Sequence, residues 1–262
     1  MAGIEEFIKK KTEFKENYKE LKNEPRLISV DGPDGVGKTS IINKMIEILK
    51  KQYIEKGKNP DDIIKVKYTN YNDSNSQRNL SNLIRGYNKD GSWDDDKINQ
   101  IIKTWSTKLN RSYNEHILQM LEDNKTVILD RSEIDLFRAC LEWNDERLLE
   151  KSISYFKDGT LTSGIAAGNR IFISSSPQDA WDNLEDRRIR ESVKPSVNDP
   201  KSLEETEKRK EDEEKAEEIV VKSHKEIPNV IKIKNERIAN DELKKDKQIE
   251  DIAREIVSKL RL

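Results

Sequence analysis

The sequence predicts an α/β fold in which a five-stranded parallel sheet is flanked by helices. Two observations predict it. Short apolar runs recur along the 262 residues, separated by stretches whose apolar residues have helical spacing. Strands joined through helices of this length need right-handed crossovers, which make the strands parallel and cover both faces of the sheet. The predicted strands are residues 26–31, 63–68, 126–130, 170–174 and, more weakly, 230–233.

The first predicted element is an amphipathic helix that precedes the sheet. Apolar residues between positions 4 and 21 recur every three or four residues, opposite lysines and glutamates. We expect residues 1–25 to form a helical extension that docks on its own domain, with a homodimer or partner contact as the alternative. Residues 26–262 form a single domain, since no segment has the composition of a long flexible linker.

Three further helical patterns follow the strands. Apolar residues indicate helices over residues 40–52 and 97–121, and one apolar stripe indicates a final helix at 249–260. Residues 201–224 are almost wholly polar. They predict a solvated helix, or a partly disordered arm, held by charge pairs three and four residues apart.

The composition excludes several classes of protein. Charged residues make up 38% and apolar residues 33%, and 49 basic side chains nearly balance 51 acidic ones. Because the formal net charge is only −2, the protein has no strong positive field to attract nucleic acid, and we expect no nucleic-acid binding. No stretch approaches the ~18 continuous apolar residues of a membrane span, the N-terminus lacks the apolar core of a secretory signal, and a single cysteine, Cys140, fits a reducing compartment. We therefore expect a cytoplasmic protein without membrane contact.

The strongest motif follows the first strand. Residues 32–39 read GPDGVGKT and match G-x-x-x-x-G-K-[ST] in full. Its glycines let the backbone curl so that N–H groups point at phosphate oxygens, and the next helix favours an anion at its N-terminus. The Lys38 ammonium can reach the β- and γ-phosphates, and the Thr39 hydroxyl can ligate Mg²⁺. The motif predicts binding of ATP with Mg²⁺ by Gly32, Asp34, Gly35, Val36, Gly37, Lys38, Thr39 and Ser40.

A second motif ends the third strand. Asp130 closes an apolar run and Arg131 follows it. Ligands of open parallel sheets bind at the carboxyl ends of the strands. Asp130 is therefore a candidate for holding Mg²⁺, directly or through water, and Arg131 lies where a second phosphorylated molecule would bind. The chain has no Asn-Lys-x-Asp segment after a strand, which a guanine-specific switch would need.

These residues together resemble the thymidylate kinase family of nucleoside monophosphate kinases. The likeness covers the strand and loop at 28–39, the Asp130-Arg131-Ser132 segment, the Asn110-Arg111 pair, and the strand and arginine cluster between 171 and 190. It implies a P-loop NTPase fold of the nucleoside monophosphate kinase type, with a lid and charged arm at about 185–224. It also implies transfer of the γ-phosphoryl group of ATP to a nucleoside monophosphate.

The resemblance also implies roles for individual residues. Lys38 and Mg²⁺ would neutralise the donor phosphates, Arg131 and Arg111 would hold the acceptor, and Asp34 would accept a hydrogen bond from its sugar. Some family members carry a catalytic arginine where this chain has Gly35. A transition-state arginine is worth about 10³ to 10⁵ in rate. We therefore expect the lid to supply it from Arg187, Arg188 and Arg190.

Three departures leave the acceptor open. Residues 69–73 lack the arginine that the family places after its second strand, Thr107 stands where the family has a stacking aromatic ring, and Ser132 replaces a tyrosine. Two alternatives therefore remain beside the monophosphate kinase. One is a deoxynucleoside or other small-molecule kinase on the same fold, and the other is a non-catalytic nucleotide-binding module.

Overall fold

The computed structural model describes residues 21–67, 95–112, 116–142, 145–192, 200–224, 226–237 and 242–262. The helix predicted near the N-terminus falls almost wholly within residues 1–20, outside these ranges. The strands are β1 (Lys22–Asp31), β2 (Ile63–Lys67), β3 (Thr126–Asp130), β4 (Ile165–Ser174) and β5 (Asn229–Lys234). The helices are α1 (Lys38–Glu55), α2 (Asp95–Ser112), α3 (Leu118–Glu122), α4 (Ile134–Glu142), α5 (Glu146–Lys157), α6 (Pro177–Glu191), α7 (Leu203–Ser223) and α8 (Glu242–Lys259).

The strands form one parallel sheet in the order β2-β3-β1-β4-β5. This confirms the predicted five-stranded parallel sheet flanked by helices. Strands β1 and β3 are direct neighbours, with Val30 beside Asp130. The segments that follow these two strands therefore leave the sheet side by side, which brings the phosphate loop next to Asp130 and Arg131.

Helices cover both faces of the sheet. Leu27 belongs to a core cluster beneath α2, α4, α5 and α7, whereas the next residue, Ile28, belongs to a cluster beneath α1 and α8. Side chains of a strand alternate between faces, and both of these are fully buried. This explains why the central strands are continuous apolar runs rather than alternating ones.

Several element boundaries differ from the predicted ones, including that of β4, which begins at Ile165 rather than at residue 170. Strand β1 begins at Lys22, so residues 22–25 belong to the sheet rather than to the predicted helical extension. Lys22 to Glu24 pair with β4 beyond a register shift, and their polar sequence hid this pairing from a search for apolar runs. The helix predicted over 97–121 is two helices, α2 and α3, with residues 113–115 outside the described ranges.

The charged segment at 201–224 is a helix with charge pairs four residues apart, as one of the two interpretations predicts, but it is packed against the core rather than solvated or disordered. Helix α7 lies on α4 and places Ala216 and Val220, four residues apart, in the core. Its inner face also buries three acids, Asp212, Glu213 and Glu217. The segment was misjudged because its few apolar residues are diluted by charges.

A buried polar chain ties the end of α7 to the sheet. Arg170 on β4 forms an ion pair with Glu133 and donates from Nε to Nε2 of His224, 3.2 Å away. Since arginine only donates, Nδ1 of His224 carries the ring proton and lies 2.6 Å from Oδ1 of Asn23. Burial and the charge of Arg170 lower the pKa of His224 to about 3. The histidine is therefore neutral and structural.

Among the helices of the described ranges, none combines the length and the apolar character needed to cross a membrane.

Candidate nucleotide-binding site

The phosphate loop connects β1 to α1 and packs tightly against its surroundings. Gly35 and Gly37 have φ angles of +86° and +83°, which glycine adopts without strain. A Cβ atom on Gly35 would lie 2.2 Å from the carbonyl oxygen of Ala180 on α6, and one on Gly37 would lie 2.9 Å from Nδ2 of Asn235. Helix α1 begins at Lys38, directly after Gly37. The glycines of the motif are therefore required by close packing as well as by backbone conformation.

Two asparagines hold the loop from outside. Nδ2 of Asn183 on α6 donates to the carbonyl oxygen of Gly35 at 2.9 Å. Nδ2 of Asn235, the residue after β5, donates to the carbonyl oxygen of Val36 at 2.8 Å, while its backbone N–H donates to Ser174 at 2.7 Å. The sequence analysis missed both residues, because neither belongs to a local motif. Together they fix the loop to α6 and to the end of β5.

The Lys38 side chain lies within the curl of the loop. Its Nζ donates to the carbonyl oxygens of Gly32 and Pro33 at 2.5 and 2.6 Å. Burial lowers its pKa below the usual range, with the neighbouring Arg131 acting in the same direction. An ammonium that bound phosphate oxygens here would exchange these two carbonyls for a charged partner, which strengthens its hydrogen bonds.

A cavity of about 500 Å³ opens beside the loop. Its walls come from the loop, the end of β3, α6, the segment after β5 and α8. It brings together ten of the predicted site residues, namely Asp34, Gly35, Gly37, Lys38, Thr39, Ser40, Asp130, Arg131, Arg187 and Arg190. It also has lining residues that the sequence analysis did not single out, including Lys67, Asn183, Asn235, Arg237, Lys245 and Gln248.

Four predicted residues stand elsewhere. Gly32 packs against Ile173, where a Cβ atom would lie 2.0 Å from the carbonyl oxygen, and Val36 is buried in the core under α1. Neither residue lines the cavity, so both shape the loop without facing the proposed ligand. Arg111 lies on α2, and its side chain is outside the described part of the structure. Arg188 is the fourth predicted residue that does not line the cavity.

The arginine cluster of α6 divides between two directions. Arg187 and Arg190 line the cavity. Arg188 instead pairs with Glu185, donates from Nη2 to the carbonyl oxygen of Pro200 at 2.8 Å, and lies 5.3 Å from the ring centre of Trp181. These contacts direct the Arg188 side chain away from the cavity and brace α6 against the start of the α7 region, so its predicted catalytic role stays a prediction.

Arg131 is held by acids from two directions. It adopts a left-handed conformation, with φ at +77°, which is rare for a residue with a side chain. Its guanidinium pairs with Asp34 in the phosphate loop and with Asp135 on α4, the latter at 2.9 Å. Asp135 and then Asp34 hold the pKa of Arg131 above its ordinary value. Burial opposes ionisation of Asp34, but Arg131 and Lys38 outweigh it and lower the pKa of that carboxyl.

Thr39 and Asp130 form the candidate magnesium site. Both line the cavity, and the Asp130 carboxylate is buried, with Lys65 Nζ at 3.5 Å from Oδ2. A hydroxyl and a carboxylate are hard oxygen donors of the kind that Mg²⁺ prefers, and Mg²⁺ usually takes one or two protein groups together with substrate phosphates and water. This donor set fits the ion that accompanies a nucleotide.

The fold and the loop define the class of protein. A phosphate loop at the end of the central strand of a parallel sheet, followed by a helix and flanked by an acid on the next strand, is the arrangement of a P-loop NTPase. The model of the KAP family P-loop domain matches residues 13–259, which is nearly the whole chain. The chain therefore belongs to the KAP family of P-loop NTPase domains. The match begins inside the predicted N-terminal extension.

This assignment corrects the finer resemblance. The likeness to the thymidylate kinase family is supported only at the level of the P-loop superfamily, because the family that matches is one of NTPase domains. No curated protein matches the chain. Nucleotide binding and hydrolysis are the activities that the family supports.

Proposed function

We propose that the chain binds a nucleoside triphosphate, ATP by expectation, together with Mg²⁺ and hydrolyses its terminal phosphoanhydride bond. One observation carries this proposal. The lysine and threonine of the phosphate loop share a single cavity with the acid that ends β3 and with two arginines of α6, Arg187 and Arg190. Cations on two sides and a metal-binding pair between them suit a polyphosphate chain.

Each residue has a distinct part in the proposed reaction. Lys38 leaves the carbonyl oxygens of Gly32 and Pro33 and binds oxygens of the β- and γ-phosphates. Mg²⁺, held by Thr39 and Asp130, would neutralise charge on the same two phosphates when bound. Water attacks the γ-phosphorus, and the bond from that phosphorus to the β,γ-bridging oxygen breaks. The products are a nucleoside diphosphate, inorganic phosphate and a proton.

Arg187 and Arg190 are the proposed transition-state residues. Charge accumulates on the bridging and γ-oxygens as the bond breaks, and a planar guanidinium can donate two parallel hydrogen bonds to such oxygens. Both residues lie on α6, which the Asn183 contact fixes to the loop. Their side chains are thereby held near the phosphates by the same helix that positions the loop.

Phosphoryl transfer to a nucleoside monophosphate is the second candidate. The placement of Arg131 favours it, because this guanidinium, which follows β3, lines the same cavity as the α6 arginines. An acceptor held there by Arg131, Asp34 and Arg111 would receive the γ-phosphoryl group in place of water. Its own phosphate oxygen would then form the new bond to phosphorus.

Separate measurement of two products tests the proposal. ADP and inorganic phosphate released from Mg·ATP are followed with and without each nucleoside and nucleoside monophosphate. Equal release of both products without an acceptor supports hydrolysis, and ADP release that requires an acceptor supports the kinase. Binding of ATP without either product would support a non-catalytic nucleotide-binding module and contradict the proposal.

A matched pair of lysine variants assigns the activity to the loop. Lys38→Ala should abolish turnover, whereas Lys51→Ala, which removes an exposed lysine of the same helix, should leave it unchanged. Turnover that survives Lys38→Ala would place the activity at another site or in a contaminant.

A further inference from the structure

Helix α7 carries a buried acid, Glu213, whose ion-pair contacts are long, at 3.9 and 4.0 Å. Glu213 and Glu217 are one turn apart, and each side chain is 8% exposed. Burying a carboxylate is unfavourable unless a close partner compensates. Glu217 has such a partner, since Lys232 Nζ on β5 lies 2.7 Å from its Oε1. Glu213, one turn earlier on the same face, lies instead near two arginines, Arg131 and Arg138.

The Glu213 carboxylate lies behind the two arginines of the β3–α4 segment. Its Oε1 is 4.0 Å from Nη1 of Arg131 and 3.9 Å from Nε of Arg138, and its Oε2 is buried without a hydrogen-bond partner in the described residues. Burial raises its pKa to about 7, even though Lys38, Arg131 and Arg138 favour the charged form. An acid held this loosely at such a cost is poor evidence of a stabilising pair. Its carboxylate does place a negative charge next to the guanidinium of Arg131.

A second residue of α7 reaches the phosphate loop itself. Nη1 of Arg209 lies 3.9 Å from Oδ2 of Asp34, and Nε lies 3.8 Å from Glu142. Asp34 therefore faces two arginines, Arg131 and Arg209, from different elements. If Arg131 turned from Asp34 towards a phosphate, Arg209 would remain to balance the Asp34 charge.

These contacts would allow Arg131 to exchange its partner Asp34 for a phosphate group. Arg131 lines the cavity, and its Nη2 atom pairs with Oδ1 of the loop residue Asp34. A phosphate oxygen can take the place of that carboxylate, because a guanidinium binds either group with the same fork of donors. Asp135 and Glu213 would then hold Arg131 from behind while it binds the phosphate.

We propose that Glu213 is a positioning residue that holds Arg131 so that its guanidinium binds the terminal phosphate of a bound triphosphate. This inference rests on the proposed nucleotide site. It assigns to α7, the helix that lies in sequence between the α6 arginines and β5, an indirect part in distinguishing triphosphate from diphosphate. Arg131 is the residue that touches the phosphate, and Glu213 acts through it.

The affinity ratio between two nucleotides tests this inference without depending on turnover. The dissociation constants of Mg·ADP and of Mg·AMPPNP, a non-hydrolysable triphosphate, are measured by calorimetry on the full chain. We expect the wild-type chain to bind the triphosphate about tenfold more tightly, the size of effect that one or two charge-assisted hydrogen bonds produce. Glu213→Gln should lower this ratio several-fold, with the remaining preference supplied by Lys38 and Mg²⁺, and should leave the Mg·ADP constant within about twofold of the wild-type value.

Glu217→Gln is the matched control. It makes the same chemical change on the same helix at an equally buried acid, and it should keep the wild-type ratio. Glu213→Asp, which withdraws the carboxylate by one methylene and retains its charge, should give an intermediate ratio. This variant also serves if Glu213→Gln fails to fold.

The outcomes separate the inference from the proposed function. A ratio that is lowered in Glu213→Gln but not in Glu217→Gln supports the inference. A wild-type ratio near unity, or equal ratios in the two glutamine variants, overturns it while leaving nucleotide hydrolysis intact. Failure of the wild-type chain to bind either nucleotide overturns the proposed function, and the inference with it.

Discussion

Replacing Gly35 with alanine should push the phosphate loop away from α6. The new Cβ atom would lie 2.2 Å from the carbonyl oxygen of Ala180. The carbonyl belongs to a helix backbone and the Cβ is fixed to the loop backbone, so no side-chain rotation can relieve the overlap. The loop must retreat by about 1 Å before the two atoms reach ordinary van der Waals contact.

The expected loss of stability has two parts. A left-handed conformation, here with φ at +86°, costs an alanine about 1–2 kcal/mol. The retreat also breaks the hydrogen bond from Asn183 to the Gly35 carbonyl, 2.9 Å long, which is worth about 0.5–1.5 kcal/mol. We therefore expect the free energy of unfolding to fall by about 1.5–3.5 kcal/mol.

Gly57 provides the matched control for backbone conformation. It has a φ angle of +67°, and a Cβ atom placed there would meet nothing within 4 Å. Gly57→Ala should therefore cost only the conformational part, about 1–2 kcal/mol, and should not disturb the loop. Urea unfolding gives the stabilities of both variants, and calorimetric titration with Mg·ADP gives their affinities.

Binding is the decisive readout of this comparison. The backbone amides around Gly35 form the proposed cradle, and a retreat of about 1 Å would move such an N–H beyond the 2.7–3.2 Å range of a hydrogen bond to a phosphate oxygen. Gly35→Ala should therefore lose at least tenfold in Mg·ADP affinity, while Gly57→Ala binds like the wild-type chain. Equal affinities in the two variants would refute the packing argument.

Three further predictions follow from the site. Thr39→Val should lower affinity for ATP only when Mg²⁺ is present, and an equal loss in EDTA would argue against a metal contact. The pair Arg187→Ala with Arg190→Ala should lower kcat by about 10³-fold with little change in nucleotide Kd, whereas Arg188→Ala should lower stability alone; a kcat loss in the latter would restore Arg188 to the site. Burial raises the pKa of Asp31 from 3.8 to about 7, so the folded chain retains a proton that the unfolded chain releases, and stability falls as pH rises between those values. Asp31→Asn should reduce that fall, as read from urea midpoints at about pH 5 and pH 8, and an unchanged pH dependence would contradict it.

The sheet and the phosphate loop could be predicted because their signals are local. A strand buried on both faces is a continuous apolar run, as in residues 126–130, and the loop needs glycines and a lysine at fixed spacing. The start of β1 was missed because Lys22 to Glu24 are polar and are held by pairing with β4. Pairing between distant segments leaves no mark on either segment alone.

The arginines of α6 show a feature that the sequence could have revealed. Residues three apart on a helix share a side, whereas adjacent residues diverge by about 100°. Arg187 and Arg190 accordingly line the cavity together, and Arg188 turns to Trp181. The helical spacing was sufficient to separate the three.

The contacts of α7 and of the two asparagines could not be predicted from sequence. Glu213 and Arg209 come near Arg131 and Asp34 only because α7 packs on α4, close to the phosphate loop. Asn183 and Asn235 are unremarkable in sequence, and they hold the loop only because α6 and β5 end beside it. Such sites depend on which elements the topology brings together.

The central claim is that residues 32–39 bind the phosphates of a nucleotide, and equilibrium binding of a fluorescent ATP analogue to the intact chain tests it most directly. One saturable site per chain is expected in the presence of Mg²⁺, displaced by unlabelled ATP and abolished by Lys38→Ala. A wild-type chain that does not bind the analogue, or a Lys38→Ala variant that binds it equally well, would contradict the account.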